Sequence, residues 1–350
     1  MGTQIESASK LTQLGRVTLE DVAQLAKVSP ATVSRCLNRP ESVNLDKRAR
    51  VTQAIQALGY VPHGAARALA SKQSRMVGAV FPAIDNTLFG TSLDAFQRTM
   101  ADADYTVIVA SSDYDPVREK QHVRRMLQSG IDALMLVGLA RDEEIYELIG
   151  AHGIPYVTVW RLARQQVHPA VGFDNRAAAE HLTDYLFSLG HERIGVLSGI
   201  LEHNDRAQDR LAGVRDSYAK QGRTLADKYL IERPFGVEQG REMLRLIMSQ
   251  STPPTAIVCG AEPLAYGAIF EAAAQNIAVP GELSVAAFDD TWLAGQISPK
   301  LTTVRTPNME IGEEAAKYLI ATLSGVQPPL PRPLGTDLII RESTGRPPGP

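Results

Sequence analysis

"VTLEDVAQLAKVSPATVSRCLN" (Val17–Asn38) holds the start and stop signals of two short helices within 22 residues. Thr18 stands at an N-cap position, with Asp21 three residues later as a capping-box partner. Val22, Leu25 and Ala26 then share one face at i, i+3 and i+4, which predicts a helix over Leu19–Ala26. "KVS" makes a tight turn, Ser29 is a second N-cap, and Pro30 suits a first helical position, where its missing N–H costs nothing. In the second helix Val33 and Leu37 form an inner stripe, while Ala31, Thr32 and Arg35 lie on another side. A third helix is expected over Leu45–Leu58, capped by Asn44, with Val51, Ile55 and Leu58 inward and Gly59 as its stop. Two short helices across a three-residue turn, braced by a third, make a helix-turn-helix. A helical bundle with no DNA role would have the same spacing. The second helix argues against it, because its outer side is small and polar at the start and lets the backbone approach a duplex. Arg35 lies one turn further on, where a guanidinium reaches a guanine edge or a phosphate.

Charge supports that division of labour. Between Val17 and Arg75 nine Lys/Arg face four Asp/Glu, a surplus of five positive charges. The whole chain carries −3, so the rest is eight charges negative. A basic head on an acidic body suggests that only the head meets a polyanion. At 350 residues, 44% hydrophobic and 21% charged, the chain reads as a soluble protein of two or three domains. No apolar run approaches the roughly 18 to 20 residues that cross a bilayer. Residues 1–16 have no apolar core and read as a disordered, cytoplasmic lead-in. Cys36 and Cys259 are expected to be buried free thiols in a reducing compartment.

From Met76 apolar strands alternate with helical patterns. "MVGAVFP", "YTVIVAS", "ALMLVG" and "YVTVW" form a first set; after "AVGFDN" come "RIGVLSG", "YLIERP", "TAIVCG" and "LSVAAFDD". Helices are expected between them, among them 176–189 and 208–221. Continuous apolar strands spaced by helices imply parallel sheets covered on both faces, and two sets imply two doubly wound α/β lobes. Ligands of such folds bind outside the carboxyl ends of the strands, here the cleft between lobes. There is no phosphate-binding G-x-x-x-x-G-K-[ST], no G-x-G-x-x-G after a strand, no H-E-x-x-H and no G-x-S-x-G, so neither an enzyme, a cofactor nor a metal is expected. "GLARDEE" (138–144) and the Arg124–Arg125 pair read as solvated helix surface.

Val17–Asn38, followed by "GYVPHGAARALAS" (59–71), resembles the DNA-binding head and hinge of the lactose-repressor (LacI/GalR) family of bacterial transcription regulators. The family pattern V-T-[IL]-x-D-V-A-x-x-A-x-V-S-x-x-T-V-S-R-x-[IL]-N is matched at every fixed position. The resemblance implies that Pro30, Ala31 and Arg35 face bases, and that Thr18, Ser29, Thr32, Ser34, Asn38 and Tyr60 hold the DNA backbone. It also implies a hinge helix over 63–70 that enters the minor groove, with Leu69 as an apolar wedge and Ala66 on the groove floor. The implied organisation is a tail (1–16), a head (17–62), a hinge and linker (63–75), a periplasmic-binding-protein-like body for effector binding and dimerisation (76–345), and a last tail (346–350). Lobe one would comprise 76–173 and about 307–326, lobe two 174–306 and about 327–345. The crossings would fall near 172–175, 289–292 and 307.

In the cleft the resemblance picks out Phe89, after Leu88 in "AIDNTLFG", as a flank of the ligand. Trp160 ends "YVTVW" as a stacking wall or as lobe packing. "NDRAQDRLAG" supplies Asn204, Arg206 and Arg210, and Arg210 matches the family's effector-binding arginine. Asp289 of "FDD" matches its aspartate, with a structural ion pair as the alternative role for the two. Ala261 and Glu262 stand where the family often has Asn and Asp, which shifts the expected ligand toward one with an anionic or aromatic part. The expected partners are operator DNA of inverted half-sites, a small effector (a sugar, sugar acid or other polar or anionic metabolite) and a second copy of the chain, without a membrane. A dimer is expected because "RESTGRPPGP" cannot form a heptad helix. The expected function is repression in a bacterial cytoplasm, and a solute-binding protein of the same body fold is the alternative.

Overall fold

A computed structural model describes residues 17–61, 73–84, 87–162 and 167–349, without the side chains of Thr87 and Leu88. The chain divides into two compact units, Met1–Ser74 and Arg75–Pro350.

The first unit contains α1 (Leu19–Ala26), α2 (Pro30–Asn38) and α3 (Leu45–Leu58). Their ends follow from local chemistry. Thr18 and Asp21 form a reciprocal capping box, with Thr18 N–H donating to Asp21 at 2.8 Å and Asp21 N–H to the Thr18 hydroxyl at 3.3 Å. Lys27 closes α1 in the left-handed region (φ 53°), and the Ser29 hydroxyl accepts Thr32 N–H at 3.3 Å to open α2. Asn44 caps α3, and Gly59 ends it with φ 60°. The core is Val22, Ala23, Ala26, Val33, Val51, Ala54 and Leu58. Leu25, Leu37 and Ile55 are only partly buried against it. The inward stripe of α3 is therefore Val51, Ala54 and Leu58 rather than Val51, Ile55 and Leu58, because the small Ala23 and Ala26 of α1 let Ala54 in and leave Ile55 at the flank. Cys36 also departs from expectation: it is half-buried on α2, whereas Cys259 is buried.

The second unit is two α/β lobes. The first sheet has the order β2-β1-β3-β4-β5, from β1 (Met76–Phe81), β2 (Thr106–Ser111), β3 (Ala133–Val137), β4 (Tyr156–Val159) and β5 (Ala170–Val171), all parallel. Its helices include α4 (Thr87–Asp102), α5 (Pro116–Gln128) and α6 (Glu143–His152). The second sheet holds β6 (Ile194–Ser198), β7 (Leu230–Glu232), β8 (Ala256–Cys259), β9 (Ser284–Asp289), β10 (Thr302–Arg305) and β11 (Asp337–Ile339), in the order β11-β10-β9-β8-β6-β7. Its helices are α7 (Asn175–Ser188), α8 (Asp205–Lys220), α9 (Val237–Met248) and α10 (Glu262–Ala274). The chain returns to the first lobe in α11 (Asn308–Leu323), which packs on α4, before β11 joins the second sheet antiparallel to β10.

Sequence patterning locates eight of these strands and misses the two-residue β5 as well as β10 and β11. Thr302 and Thr303 of β10 are polar yet buried, and the Thr302 hydroxyl is satisfied by Arg341 carbonyl at 3.3 Å and Thr344 at 2.8 Å. Helix α8 starts at Asp205 rather than Gln208, because Asn204 accepts Ala207 N–H at 3.3 Å and caps it three residues early. No helix among the described residues is long and apolar enough to cross a membrane.

Candidate functional site

On the head, α2 presents Pro30, Ala31 and Arg35 to solvent. Arg35 Nε donates to its own helix at Ala31 carbonyl (3.3 Å). The flanking polar side chains bond one another, Ser29 with Thr32 hydroxyl at 3.0 Å and Asn38 Nδ2 with Ser34 Oγ at 3.4 Å. These are weak, exposed contacts that a phosphate oxygen can replace. Thr18 is exposed at the first turn of α1. Its hydrogen bonds hold the Asp21 carboxyl below the ordinary carboxylate range. Tyr60 is half-buried against the head's core. Ala66 and Leu69 lie outside the described residues.

In the body, Arg210 on α8 is the hub. Its Nε donates to Asn175 Oδ1 at 3.0 Å, Nη1 donates to Gly260 carbonyl, and the guanidinium carbon lies 4.2 Å from the Phe288 ring centre. Nη2 stands 3.9 Å from Asp289 Oδ1. One side chain thus ties the 172–175 crossing to the ends of β8 and β9. Burial weakens the arginine's hold on its proton. Burial also pushes the Asp289 carboxyl up to about 7, with Arg210 offsetting only part. Asp289 Oδ1 is buried and accepts no hydrogen bond among the described residues. The backbone here is strained, with φ 116° at Asp289 and 58° at Asp290. Asp290 holds it by accepting from Arg341 at 2.6 Å, Arg305 at 2.7 Å and Thr303 at 2.9 Å.

Trp160, 1% exposed, is packed rather than presented. It meets Phe89 edge-on at 4.8 Å and Phe81 at 6.1 Å, and its Nε1 donates to Asn308 at 3.3 Å. Phe89, Trp160, Arg206 and Arg210 all line one small chamber, and Asp289 adjoins it through Arg210. Five of the expected cleft residues therefore come together.

Other contributors escape sequence reading. Arg206 Nη1 donates to Asp205 Oδ1 at 2.9 Å, while Asp205 Oδ2 accepts the N–H groups of Leu139 (2.6 Å) and Ala140 (3.0 Å) from the other lobe. Arg161 of the first lobe grips Asp209 of α8 through two bonds, 2.7 and 3.2 Å. Gly138 (φ 74°) makes room for this meeting, since a Cβ there would sit 2.2 Å from Arg206 Nη1. Tyr114 and Phe235 close the chamber from opposite lobes, ring centres 6.2 Å apart. Arg141, read as solvated in "GLARDEE", is instead buried: its side chain is 1% exposed, pairs with Glu119 at 3.1 Å and donates to Val137 carbonyl at 2.9 Å. The carbonyl at the end of β3 needs a donor, and the loop folds inward to supply one. Glu262 is a strut between α10 and the 289–292 segment, which is expected from sequence to cross between lobes but instead joins β9 to β10 within the second sheet. It accepts Thr291 N–H at 2.8 Å, Tyr266 hydroxyl at 2.7 Å and the Thr291 hydroxyl. Burial raises its pKa. Among the described residues no three His, Cys, Asp or Glu side chains cluster to hold a metal.

Residues 18–63 match the family described as "Bacterial regulatory proteins, lacI family", and residues 183–344 a "Periplasmic binding protein-like domain". The repressor CytR of Escherichia coli is 32% identical over 93% of this chain and 96% of its own length. Catabolite control protein A of Priestia megaterium is 30% identical over 87% and 91%. A LacI-family transcriptional regulator from Silicibacter pomeroyi superposes with a TM-score of 0.88 at 27% identity, covering 94% of this chain and all of that one.

Proposed function

The chain belongs to the lacI family of bacterial regulatory proteins and is a DNA-binding transcription regulator, not an enzyme; on that premise we propose how it works. It is a repressor that acts in the cytoplasm as a homodimer on inverted half-sites. Arg35 makes the one strong base contact of each half-site, Ala31 offers a methyl-sized contact and Pro30 shapes the helix start. Thr18, Ser29, Thr32, Ser34, Asn38 and Tyr60 position the head on phosphates. Leu69, with Ala66 beside it, reads the deformability of the central step.

A small polar or anionic metabolite, such as a sugar or sugar acid, controls that binding from the cleft. The observation that carries this reading is Arg210: a buried cation bonded to Asn175, Gly260 and, at 3.9 Å, an Asp289 carboxyl whose Oδ1 is unsatisfied. A ligand that satisfies these groups contacts the 172–175 crossing and the strand ends of the second lobe at once, so its binding energy differs between lobe arrangements. Phe89 and Trp160 form the apolar floor, and Arg206 supplies a second cation. A solute-binding protein shares such a body but has no use for the exposed α2 face.

The test is fluorescence anisotropy of the purified chain on duplexes from its own upstream region and on shuffled duplexes. A regulator binds one of its own sequences at least 10³-fold more tightly, with a steep loss of affinity as salt rises. Equal affinities sink the reading.

A further inference from the structure

The space in the cleft is divided unequally. The inner chamber beside Arg206 and Arg210 has about 30 Å³ free, room for one water. Immediately outside it is a cavity of about 600 Å³, within the range of small-molecule sites. Two residues, Tyr114 and Phe235, line both spaces. Their rings, 6.2 Å apart and inclined 32°, form a bar between the two. The outer wall has an apolar side built from both lobes, Pro82 from the first and Ile200, Pro234, Val237 and Pro263 from the second, while Asp113, Glu202 and His203 also line the cavity. Val237 is 40% exposed at the first position of α9, an unusual place for a valine on a polar surface.

The inner chamber is rich in donors. Arg206 has five N–H groups, of which Nη1 serves Asp205, and Tyr114, whose pKa burial raises, lines the chamber beside it. A ligand ring does not fit in 30 Å³, since even a benzene occupies a cavity of about 150 Å³.

We propose that the cleft takes a two-part ligand, its anionic head against Arg206 and Arg210 and an uncharged, ring-sized apolar arm passing the Tyr114–Phe235 bar into the outer cavity. This rests on the reading of the cleft as the effector site and adds the class of molecule. A short aliphatic acid fills only the head position; the arm supplies about tenfold to a hundredfold in affinity by leaving water.

The probe is anilinonaphthalene sulfonate, an anion with an aromatic arm, titrated by fluorescence into the full chain. One saturable site per chain is expected. Val237→Asp, which suits a helix start, and the neutral Val237→Asn should each weaken it about tenfold, as should Arg206→Gln. Weakening by Arg206→Gln alone, with both Val237 variants unchanged, confines the ligand to the inner chamber and overturns the two-part proposal while the cleft reading stands. No saturable site, or one indifferent to all three substitutions, overturns both.

Discussion

The head and the cleft place their functional side chains in opposite surroundings. On the head, Ser29, Thr32, Ser34, Arg35 and Asn38 are bonded to residues three or four positions away and are largely open to solvent. In the cleft, partners come from afar: Arg210 and Asn175 are 35 residues apart, Arg161 and Asp209 48, Leu139 and Asp205 66, Trp160 and Asn308 148. A surface that meets DNA needs only a rigid helix and free donors, which local capping supplies. A pocket that senses a ligand and moves two lobes must be assembled from both of them. The contrast predicts that removing the cleft's central cation costs stability and ligand response together, whereas removing a base-facing side chain of the head costs DNA binding alone.

Arg210→Ala should have the largest effect. It removes donors from Asn175 and Gly260 and leaves Asp289 without its cation, a loss of about 3 kcal/mol. Thermal unfolding should show it, and ligand should no longer shift operator affinity, while ligand-free affinity at 25 °C changes little. If operator affinity falls in step with stability, Arg210 is a structural brace and the sensing role fails. Next comes Arg35→Ala. It touches no distant residue, so the unfolding midpoint stays put while operator affinity drops about tenfold to a hundredfold. Anisotropy on operator and shuffled duplexes measures it; an equal drop on both would reduce Arg35 to a phosphate contact.

The same contrast decides what the sequence discloses. Among the described residues of the first unit, the starts of α1, α2 and α3 agree with their local signals, because each cap is bonded within three residues: Thr18 with Asp21, Ser29 with Thr32, Asn44 with Asp46. Strand–helix alternation likewise discloses both lobes. What stays hidden depends on distant partners. Arg141 looks like a surface charge until β3 turns its last carbonyl toward it. Thr302 and Thr303 read as polar until Arg341, Thr344 and Asp290 arrive to satisfy them. Asp205 and Asp209 share a helix with Arg210, yet nothing nearby in the chain indicates that they hold Leu139, Ala140 and Arg161. Arg206, Arg210, Asp289, Phe89 and Trp160 are legible by resemblance to a family motif; Tyr114 and Phe235, which set the shape of the space, are not.

Acidity provides a sharper comparison, since one carboxyl in each region is displaced in the opposite direction. Asp289 titrates near 7 in the folded protein, against 3.8 ordinarily. Between those values the native state holds a proton that the unfolded state has released, so this group makes the protein less stable as pH rises to about 7, and level above it. Asp289→Asn should therefore raise the unfolding midpoint more at pH 8 than at pH 4. A gain independent of pH would mean that the carboxyl is ionised throughout.

The smallest expected effect is that of Asp21, the corresponding group on the head. Thr18 donates two hydrogen bonds to its carboxylate, at 2.8 Å from backbone N–H and 2.8 Å from the hydroxyl, and so lowers its pKa. The stability it contributes is present above 3.8 and is lost as pH falls through the lowered value, the reverse of Asp289. Thr18→Ala removes the hydroxyl half of the box and should cost the head about 1 kcal/mol at neutral pH. As pH falls through that lowered value and the carboxyl takes up its proton, part of that cost should vanish. Hydrogen exchange of the first-turn amides of α1 isolates the effect from the body. Protection that is equally reduced above and below that titration would show that the Thr18 hydroxyl acts only as an acceptor for Asp21 N–H, with no stake in the carboxylate.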